Sequence, residues 1–361
     1  MAIRLSVVQI GKGSIGGALL DQMAAERAPI RERLGVDLVC AGIAGQGGGS
    51  FERDGIDLHN WRETLRSTPG VDARGLLREA AGSIPGPKIL VDATAAEGMA
   101  ALYREALGEG FHVVACNKKP FAGRLADYRA AKDAGRAAGR FLLHEVTVGA
   151  GLPVIGTLRD LVDSGDRIRS IEGCFSGTLN FLCAGLDRGG RFSEVLARAR
   201  SLGFTEPDPR EDLSGWDVAR KALILAREAG LLIEPEEVRL EPFVAIDPGG
   251  GVEGFMAAAP GLDDALRRSW RGAEERGMCR RYVAAVADAC SARITDVPAG
   301  GPLGRLAGPE NIFAFRTERY PDHPLLVTGP GAGPQVTAAG AFGDILRVAR
   351  ALALSGSGGR M

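Results

Sequence analysis

An α/β protein in two domains is what this sequence predicts, and three observations carry that reading. The chain opens with a buried apolar run, Ile3 to Ile10, which meets a glycine-rich turn and then a helical pattern. Strand and helix patterns alternate from there to Val148, the order that builds a mostly parallel sheet with helices on its faces. Beyond residue 151 the alternation gives way to a mixed order of elements around a stretch dense in acids, Gly203 to Ala226. A chain of 361 residues is long enough for two substantial cores. The domains read from these shifts are 1–150 with 330–361, a Rossmann-like dinucleotide-binding domain, and 151–329, an α+β domain.

Composition excludes several function classes. With 44 basic against 45 acidic residues the formal charge is -1, so nothing points to nucleic acid or to an anionic membrane. The start Met1-Ala2-Ile3-Arg4-Leu5 runs straight into a strand pattern without the apolar core of a signal peptide, and no later run could span a bilayer. A cytoplasmic protein is expected. The six cysteines (Cys40, Cys116, Cys174, Cys183, Cys279, Cys290) are widely spaced and read as reduced, mostly buried thiols. The four histidines (His59, His112, His144, His323) include no pair at metal spacing, which argues against zinc.

In the first domain, Gly11-Lys12-Gly13-Ser14-Ile15-Gly16 is G-x-G-x-x-G between a strand and a helix over Gly17 to Arg27. Glycines there let the backbone reach a pyrophosphate at the helix N-terminus. The second strand, Val36 to Ala44, ends without the acid that holds a ribose 2'-hydroxyl. Lys12 and Arg53 either supply charge for NADP or are solvated surface residues. Gly47 to Asp54 reads as a flexible polar loop and Asp57 to Arg66 as a short connection and helix. The strand Lys88 to Ala93 ends at Thr94, either a nicotinamide contact or a helix N-cap. After a helix from Ala100 to Gly108, the strand Phe111 to Cys116 delivers Asn117-Lys118-Lys119-Pro120 to the same edge. A basic helix (Leu125 to Ala138) leads into a strand from Phe141 to Val148, and Glu145 either joins backbone carbonyls around a hard cation or caps the next helix.

In the second domain a helix (Val154 to Ser164) and a strand (Ile168 to Phe175) precede Ser176-Gly177-Thr178-Leu179-Asn180, where Thr178 orients substrate or caps a helix. Four carboxylates (Glu206, Asp208, Glu211, Asp212) then crowd a proline-stiffened loop, and the following helix carries Asp217 and Lys221 on one face. Carboxylates can hold an ammonium group while a positioned lysine moves a proton. The bland reading makes Ser214 and Asp217 a capping box and Asp217–Lys221 a surface pair of roughly 0.2–0.5 kcal/mol. Val238 to Asp247 and Tyr282 to Ala289 mix strand and helix patterns, Glu310 to Thr317 and Leu325 to Gly329 read as strands, and Gly329-Pro330-Gly331-Ala332-Gly333 leads to a helix from Ala338 to Leu354 that returns to the first domain. Ser355 to Met361 reads as a disordered tail.

The motifs together resemble homoserine dehydrogenase in its short form, without a kinase or regulatory domain. They are G-x-G-x-x-G at Gly11 to Gly16, N-K-K-P at Asn117 to Pro120, E-V-T-V-G-A-G-L-P at Glu145 to Pro153, F-S-G-T-L-N at Phe175 to Asn180, the acid loop through Lys221, and G-P-G-A-G with Thr337 and Asp344. The resemblance implies that Lys221 exchanges the proton, with Lys118 near cofactor and substrate and Asp217 beside it. It implies substrate binding by Glu206, Asp212 and Thr178. Cofactor contacts would come from the fingerprint residues Gly11, Gly13, Ser14, Ile15 and Gly16, with Thr94, Lys118 and Gly333. Glu145 and the carbonyls of Val148, Ala150 and Leu152 would hold a structural sodium ion. The cofactor would be NADP or NAD, with NADP favoured, and the assembly a homodimer paired through the second domain. The implied reaction is the reversible oxidation of L-homoserine to L-aspartate 4-semialdehyde on the way to threonine and methionine. The alternatives are an aspartate-semialdehyde dehydrogenase-like enzyme using Cys116, and a dinucleotide-binding sensor without catalysis.

Overall fold

The computed structural model describes residues 2–46, 48–64, 72–246 and 249–357. The chain divides into two compact units, Met1–Gly151 with Ala332–Met361, and Leu152–Gly331.

The first unit is built on β1 (Ile3–Ile10), β2 (Val36–Gly45), β3 (Gly48–Phe51), β4 (Lys88–Asp92), β5 (Phe111–Ala115) and β6 (Leu142–Leu143), in the sheet order β3-β2-β1-β4-β5-β6. All neighbours are parallel except β3, which runs antiparallel to β2. Strands buried on both faces read as unbroken apolar runs, and Leu5, Val7, Val8, Leu90 and Val91 are fully buried. Strand order reverses at β1, whose two neighbours are β2 and β4, so the crevice beyond the carboxyl ends of these strands is where a ligand fits. The ladder continues past the strand ends through Gly11 N to Ala44 O and Ala93 N to Ile10 O, both 2.7 Å. The Pro334–Ser357 helix packs on the Ser14–Leu34 helix, burying Ala338, Ala341 and Ile345 in the apolar cluster of Leu5, Leu19 and Val91. Each fully buried Leu or Ile there contributes roughly 1.5–3 kcal/mol.

The second unit carries β7 (Ile168–Cys174), β8 (Arg239–Leu240), β9 (Met278–Val286), β10 (Cys290–Pro298), β11 (Glu310–Thr317) and β12 (Leu325–Pro330), in the order β12-β11-β7-β9-β10-β8. The pairs are antiparallel except β10 with β8. The Trp216–Glu228 helix packs on β9 and β10, and its Ala222, Leu223 and Leu225 are buried. The α/β class with a Rossmann-like unit and an α+β unit is the architecture observed.

Several sequence expectations need correction. The first helix covers Ser14–Leu34, passing through Pro29 and ending on Gly35 in the left-handed conformation. Pro29 removes one helical donor, and the fully buried Ile30 lies beyond it. Gly48–Phe51, expected as loop, is an edge strand; Gly49 lies so close to β2 that a Cβ would stand 2.3 Å from Ile43 O. The helix expected over Asp57 to Arg66 spans Trp61–Thr64, and residues 65 and 66 lie outside the described residues. The expected strand over Phe141 to Val148 is only Leu142–Leu143, followed by a helical turn at Val146–Gly149. The Asp344 carboxylate accepts from Glu145 N at 2.9 Å, which takes that N–H out of any ladder. Thr94 caps no helix, because the next one starts at Met99 after Gly98.

Within the unassigned stretches, Arg239–Leu240 and Met278–Val286 are strands, while Asp247 lies outside the described residues. The last helix continues to Ser357, and 358–361 of the expected tail lie outside the described residues. Helices at Ala73–Ser83, Phe192–Ser201, Gly251–Ala258 and Asp263–Glu274 were not expected from the sequence.

Candidate active site

In the first unit the fingerprint turns sharply out of β1. Gly11 has φ +98°, and a Cβ there would meet Ala93 O at 2.5 Å; a Cβ on Gly16 would meet Gly11 O at 2.2 Å. Gly13 has nothing within 4 Å of a Cβ position, so this peptide lies open in front of the Ser14–Leu34 helix N-terminus. That is the cradle a pyrophosphate requires. The buried Gln9 ties it together, its amide nitrogen donating to Gly11 O and Gly16 O at 2.9 Å each. Ser14 is exposed and Ile15 half-buried.

Thr94 and Lys118 leave β4 and β5 at the same sheet edge. Asp92, fully buried, accepts from Thr94 N at 2.8 Å, Thr94 Oγ1 at 2.7 Å and Tyr103 Oη at 2.5 Å. Burial raises its pKa against these hydrogen bonds. Asn117 donates to Ala96 O at 2.9 Å and accepts from Lys119 N at 3.1 Å, which fixes the turn carrying Lys118. The methylenes of Lys12 lie over Gly45 at the end of β2, where a Cβ would stand 2.8 Å from Lys12 Cγ. Gly333 is exposed with φ +124° before the Pro334–Ser357 helix.

Glu145 and Asp344 are both buried and share the Arg347 guanidinium, Glu145 at 3.0 Å and Asp344 at 2.5 Å. Burial pushes Asp344 up to about 6. Val148 is fully buried, and Ala150 is the one non-glycine with positive φ among the described residues, at 53°. Among those residues no cluster of three or more His, Cys, Asp or Glu side chains could hold a metal ion.

In the second unit Lys221 is 8% exposed, and its Nζ donates to Phe175 O at 2.8 Å and pairs with Asp217 Oδ2 at 2.9 Å. The two side chains share a face one helical turn apart. Their helix begins at Gly215, not at a Ser214 cap: Gly215 has φ +75°, and a Cβ there would overlap Tyr282 Oη at 1.8 Å. Ser214 instead ends the preceding Pro209–Leu213 helix, donating to Glu211 O at 2.6 Å. The capping-box reading is therefore wrong, and Asp217 faces Lys221.

The four loop acids do not act as one group. Asp208 caps the Pro209–Leu213 helix and pairs with Arg210 at 2.7 Å, which holds its carboxyl below the usual range. Glu206 and Glu211 are exposed. Asp212 lies inward, accepting from Glu206 N at 2.8 Å and meeting Thr178 Oγ1 at 2.9 Å. Burial raises the pKa of Asp212, with Glu206 and Asp217 adding to the rise. Thr178 Oγ1 also contacts Phe204 O at 2.5 Å. One hydroxyl proton serves two acceptors there, and a proton on Asp212 would satisfy both contacts. Ser176, not Thr178, caps the Gly177–Asp187 helix.

Thus Thr178, Glu206, Asp212, Asp217 and Lys221 gather in one unit, and the fingerprint, Thr94 and Lys118 gather at one sheet edge of the other. The sequence reading missed Gln9, Asp92 and Asn311, although a polar residue inside an apolar strand is a visible signal for each.

The family described as "Homoserine dehydrogenase" matches residues 153–346, and "Homoserine dehydrogenase, NAD binding domain" matches residues 11–145. Homoserine dehydrogenase from Schizosaccharomyces pombe is 35% identical over 95% of this chain and 95% of its own length. The chain belongs to the homoserine dehydrogenase family. The chloroplastic bifunctional aspartokinase/homoserine dehydrogenase 1 of Arabidopsis thaliana is 42% identical over 96% of this chain, which spans 39% of that relative's length. A solved mutant of a hyperthermophilic archaeal homoserine dehydrogenase, in complex with NADPH, shares the fold at 24% identity with a TM-score of 0.74, covering 96% of this chain and 97% of its own. No helix among the described residues is long and apolar enough to cross a membrane.

Proposed function

We propose that the chain catalyses the reversible, NAD(P)-dependent interconversion of L-homoserine and L-aspartate 4-semialdehyde. The observation that carries this reading is the buried Lys221 ammonium, clasped by Phe175 O and Asp217 beside the inward-facing Asp212. Lys221 gives a proton to the aldehyde oxygen in the reducing direction and takes it back in the other. Asp217 pairs with the Lys221 amine, and Glu206 and Asp212, with Thr178, orient the substrate ammonium. A nicotinamide cofactor, when bound, supplies or accepts hydride.

The first unit takes the dinucleotide through Gly11, Gly13, Ser14, Ile15 and Gly16, with Thr94, Lys118 and Gly333 alongside. The open face of Gly13 supports this. NADP is favoured over NAD, because β2 ends without an acid and the Lys12 stem crosses that end. The archaeal neighbour solved with NADPH supports the same choice.

A structural sodium ion is assigned to Glu145 and the carbonyls of Val148, Ala150 and Leu152. Two buried acids against one guanidinium leave a negative charge that a monovalent cation would neutralise, and the unusual φ of Ala150 turns the backbone there. We read the assembly as a homodimer and the compartment as the cytoplasm, in keeping with six free thiols.

The aspartate-semialdehyde dehydrogenase alternative needs a reactive thiolate. Burial, with Asp92 and Asp344 nearby, raises the Cys116 thiol well above its ordinary value, which counts against it. Absorbance of reduced nicotinamide in phosphate-free buffer tests the proposal. Homoserine-dependent formation with NADP, slower with NAD, is expected; no turnover, or turnover that requires phosphate, would overturn it.

A further inference from the structure

Away from its own helix, Lys221 Nζ donates to a peptide carbonyl, Phe175 O, just past the end of β7. A carbonyl oxygen has two acceptor positions, and here both are used. Lys221 Nζ takes one at 2.8 Å, and the side-chain amide of Asn311 takes the other at 3.1 Å.

Asn311 is fully buried near the start of β11, and its position is overdetermined. Its backbone pairs with Gly329 of β12 and accepts from Thr328 Oγ1 at 3.1 Å. Behind the amide lies Gly331, where a Cβ would stand 2.0 Å from Asn311 Nδ2 and 2.5 Å from Oδ1. The Gly331 backbone therefore packs against the whole amide group. Asn311 Oδ1 is buried without a hydrogen-bond partner among the described residues. An unpaired buried acceptor is costly, yet rotating the amide would set Oδ1 against the Phe175 oxygen and lose the one bond it makes. A residue that needed only to fill this volume would carry no such penalty as Leu.

We infer that Asn311 is a positioning residue for Lys221, acting through the shared Phe175 carbonyl. When Lys221 is protonated, the carbonyl binds the ammonium; when Lys221 has given up its proton, Asn311 still holds the peptide in place. The amine thus returns to one position in each half of the cycle. Of the charged groups on the elements packed against the Lys221 helix, Arg280 pairs with Asp296, Arg281 with Asp187, Arg293 with Glu241, Arg210 with Asp208, and Arg159 with Glu228 of the Lys221 helix itself, while Asp160, Asp163 and Glu211 are the remaining carboxylates there besides Asp212. Asp217 is the carboxylate in contact with Nζ, with Asp212 and Glu206 beyond it. Phe175 O is a neutral partner of Lys221, and Asn311 holds it.

This assignment rests on the proposed role of Lys221, so its test includes a measurement that needs no turnover. Lysine labelled with carbon-13 at Cε would follow Lys221 titration in the unliganded protein, in wild type, Asn311→Leu and Asn311→Asp. Asn311→Asp keeps the shape but puts negative charge beside the carbonyl, and the Lys221 midpoint is expected to rise by half a unit or more. Asn311→Leu keeps volume and removes the donor; homoserine kcat is expected to fall about tenfold, with homoserine KM and NADPH affinity within about twofold of wild type. If Asn311→Leu does not fold, Asn311→Asp decides alone. A wild-type Lys221 titration in folded Asn311→Asp overturns the inference. A shifted titration in a protein without homoserine turnover would keep the inference and sink the proposed reaction instead.

Discussion

The two candidate sites are made in opposite ways. The dinucleotide cradle is a backbone object: glycines at 11 and 16 exist because a Cβ would strike Ala93 O and Gly11 O, and Gln9 is the buried side chain that ties the turn. The Lys221 site is a side-chain object, in which the Lys221 amine pairs with Asp217 at 2.9 Å, Asp212 meets the Thr178 hydroxyl at 2.9 Å, and Asp217 acts electrostatically on Asp212. The difference teaches where each should fail. Damage to the first should act through sterics and cofactor affinity, and damage to the second through proton transfer and charge.

The largest expected effect is Lys221→Ala, with kcat down by roughly a hundredfold to ten-thousandfold, as loss of a positioned acid–base group implies. NADPH affinity, measured by fluorescence titration, should stay near wild type. Equal loss of both would erase the contrast between the sites. Gly11→Ala reverses the pattern: a left-handed alanine with its Cβ 2.5 Å from Ala93 O should cost about 1 kcal/mol or more of stability. It should weaken NADPH binding at least tenfold, about 1.4 kcal/mol, while homoserine KM at saturating cofactor changes little.

Asp212→Asn sharpens the second site. Asp212 fixes the Glu206 peptide and meets Thr178, so homoserine KM should rise about tenfold, again about 1.4 kcal/mol, with kcat less affected. Lys12→Ala separates the two cofactors, raising the KM for NADP about fivefold, roughly 1 kcal/mol, and leaving NAD unchanged. Equal effects on both would remove the role given to Lys12.

The last expected effect belongs to neither site and is read in stability, with no change in activity. Burial pushes His112 down to about 4, and its Nδ1 accepts from Phe141 N at 3.0 Å. Between about pH 6.5 and 4 the unfolded chain takes up a proton that the folded chain does not. His112 therefore lowers stability as pH falls through that window. His112→Asn should flatten this part of the urea-denaturation midpoint against pH.

The same contrast explains what was legible in the sequence. Glycines fixed by close backbone approach keep their spacing along the chain, so the fingerprint, β1, β4 and the Leu125–Ala138 helix could be read directly. Asp217 and Lys221 were legible because one helical turn separates them. The partition among the four loop acids was not, since it depends on Arg210 claiming Asp208 and on the depth of Asp212, both products of packing. The expected strand over Phe141 to Val148 failed for a similar reason: Asp344, 199 residues away, takes the Glu145 N–H. Asn311 is visible as a polar residue in an apolar strand, but its link to Lys221 is not, because the shared partner is a carbonyl and a carbonyl is present at every residue. Helices such as Phe192–Ser201 carry no motif, only the amphipathic spacing that buries Phe192, Leu196 and Ala199.

The central claim is that the Lys221 amine is the proton carrier, and a structure of the wild-type protein with homoserine and oxidised cofactor tests it most directly. If Lys221 carries the proton, the homoserine hydroxyl oxygen lies within about 3.2 Å of Lys221 Nζ, or is joined to it through one water. A well-ordered homoserine whose hydroxyl meets another acid or base, with Lys221 still closed on Phe175 O and Asp217 and out of reach, would contradict it.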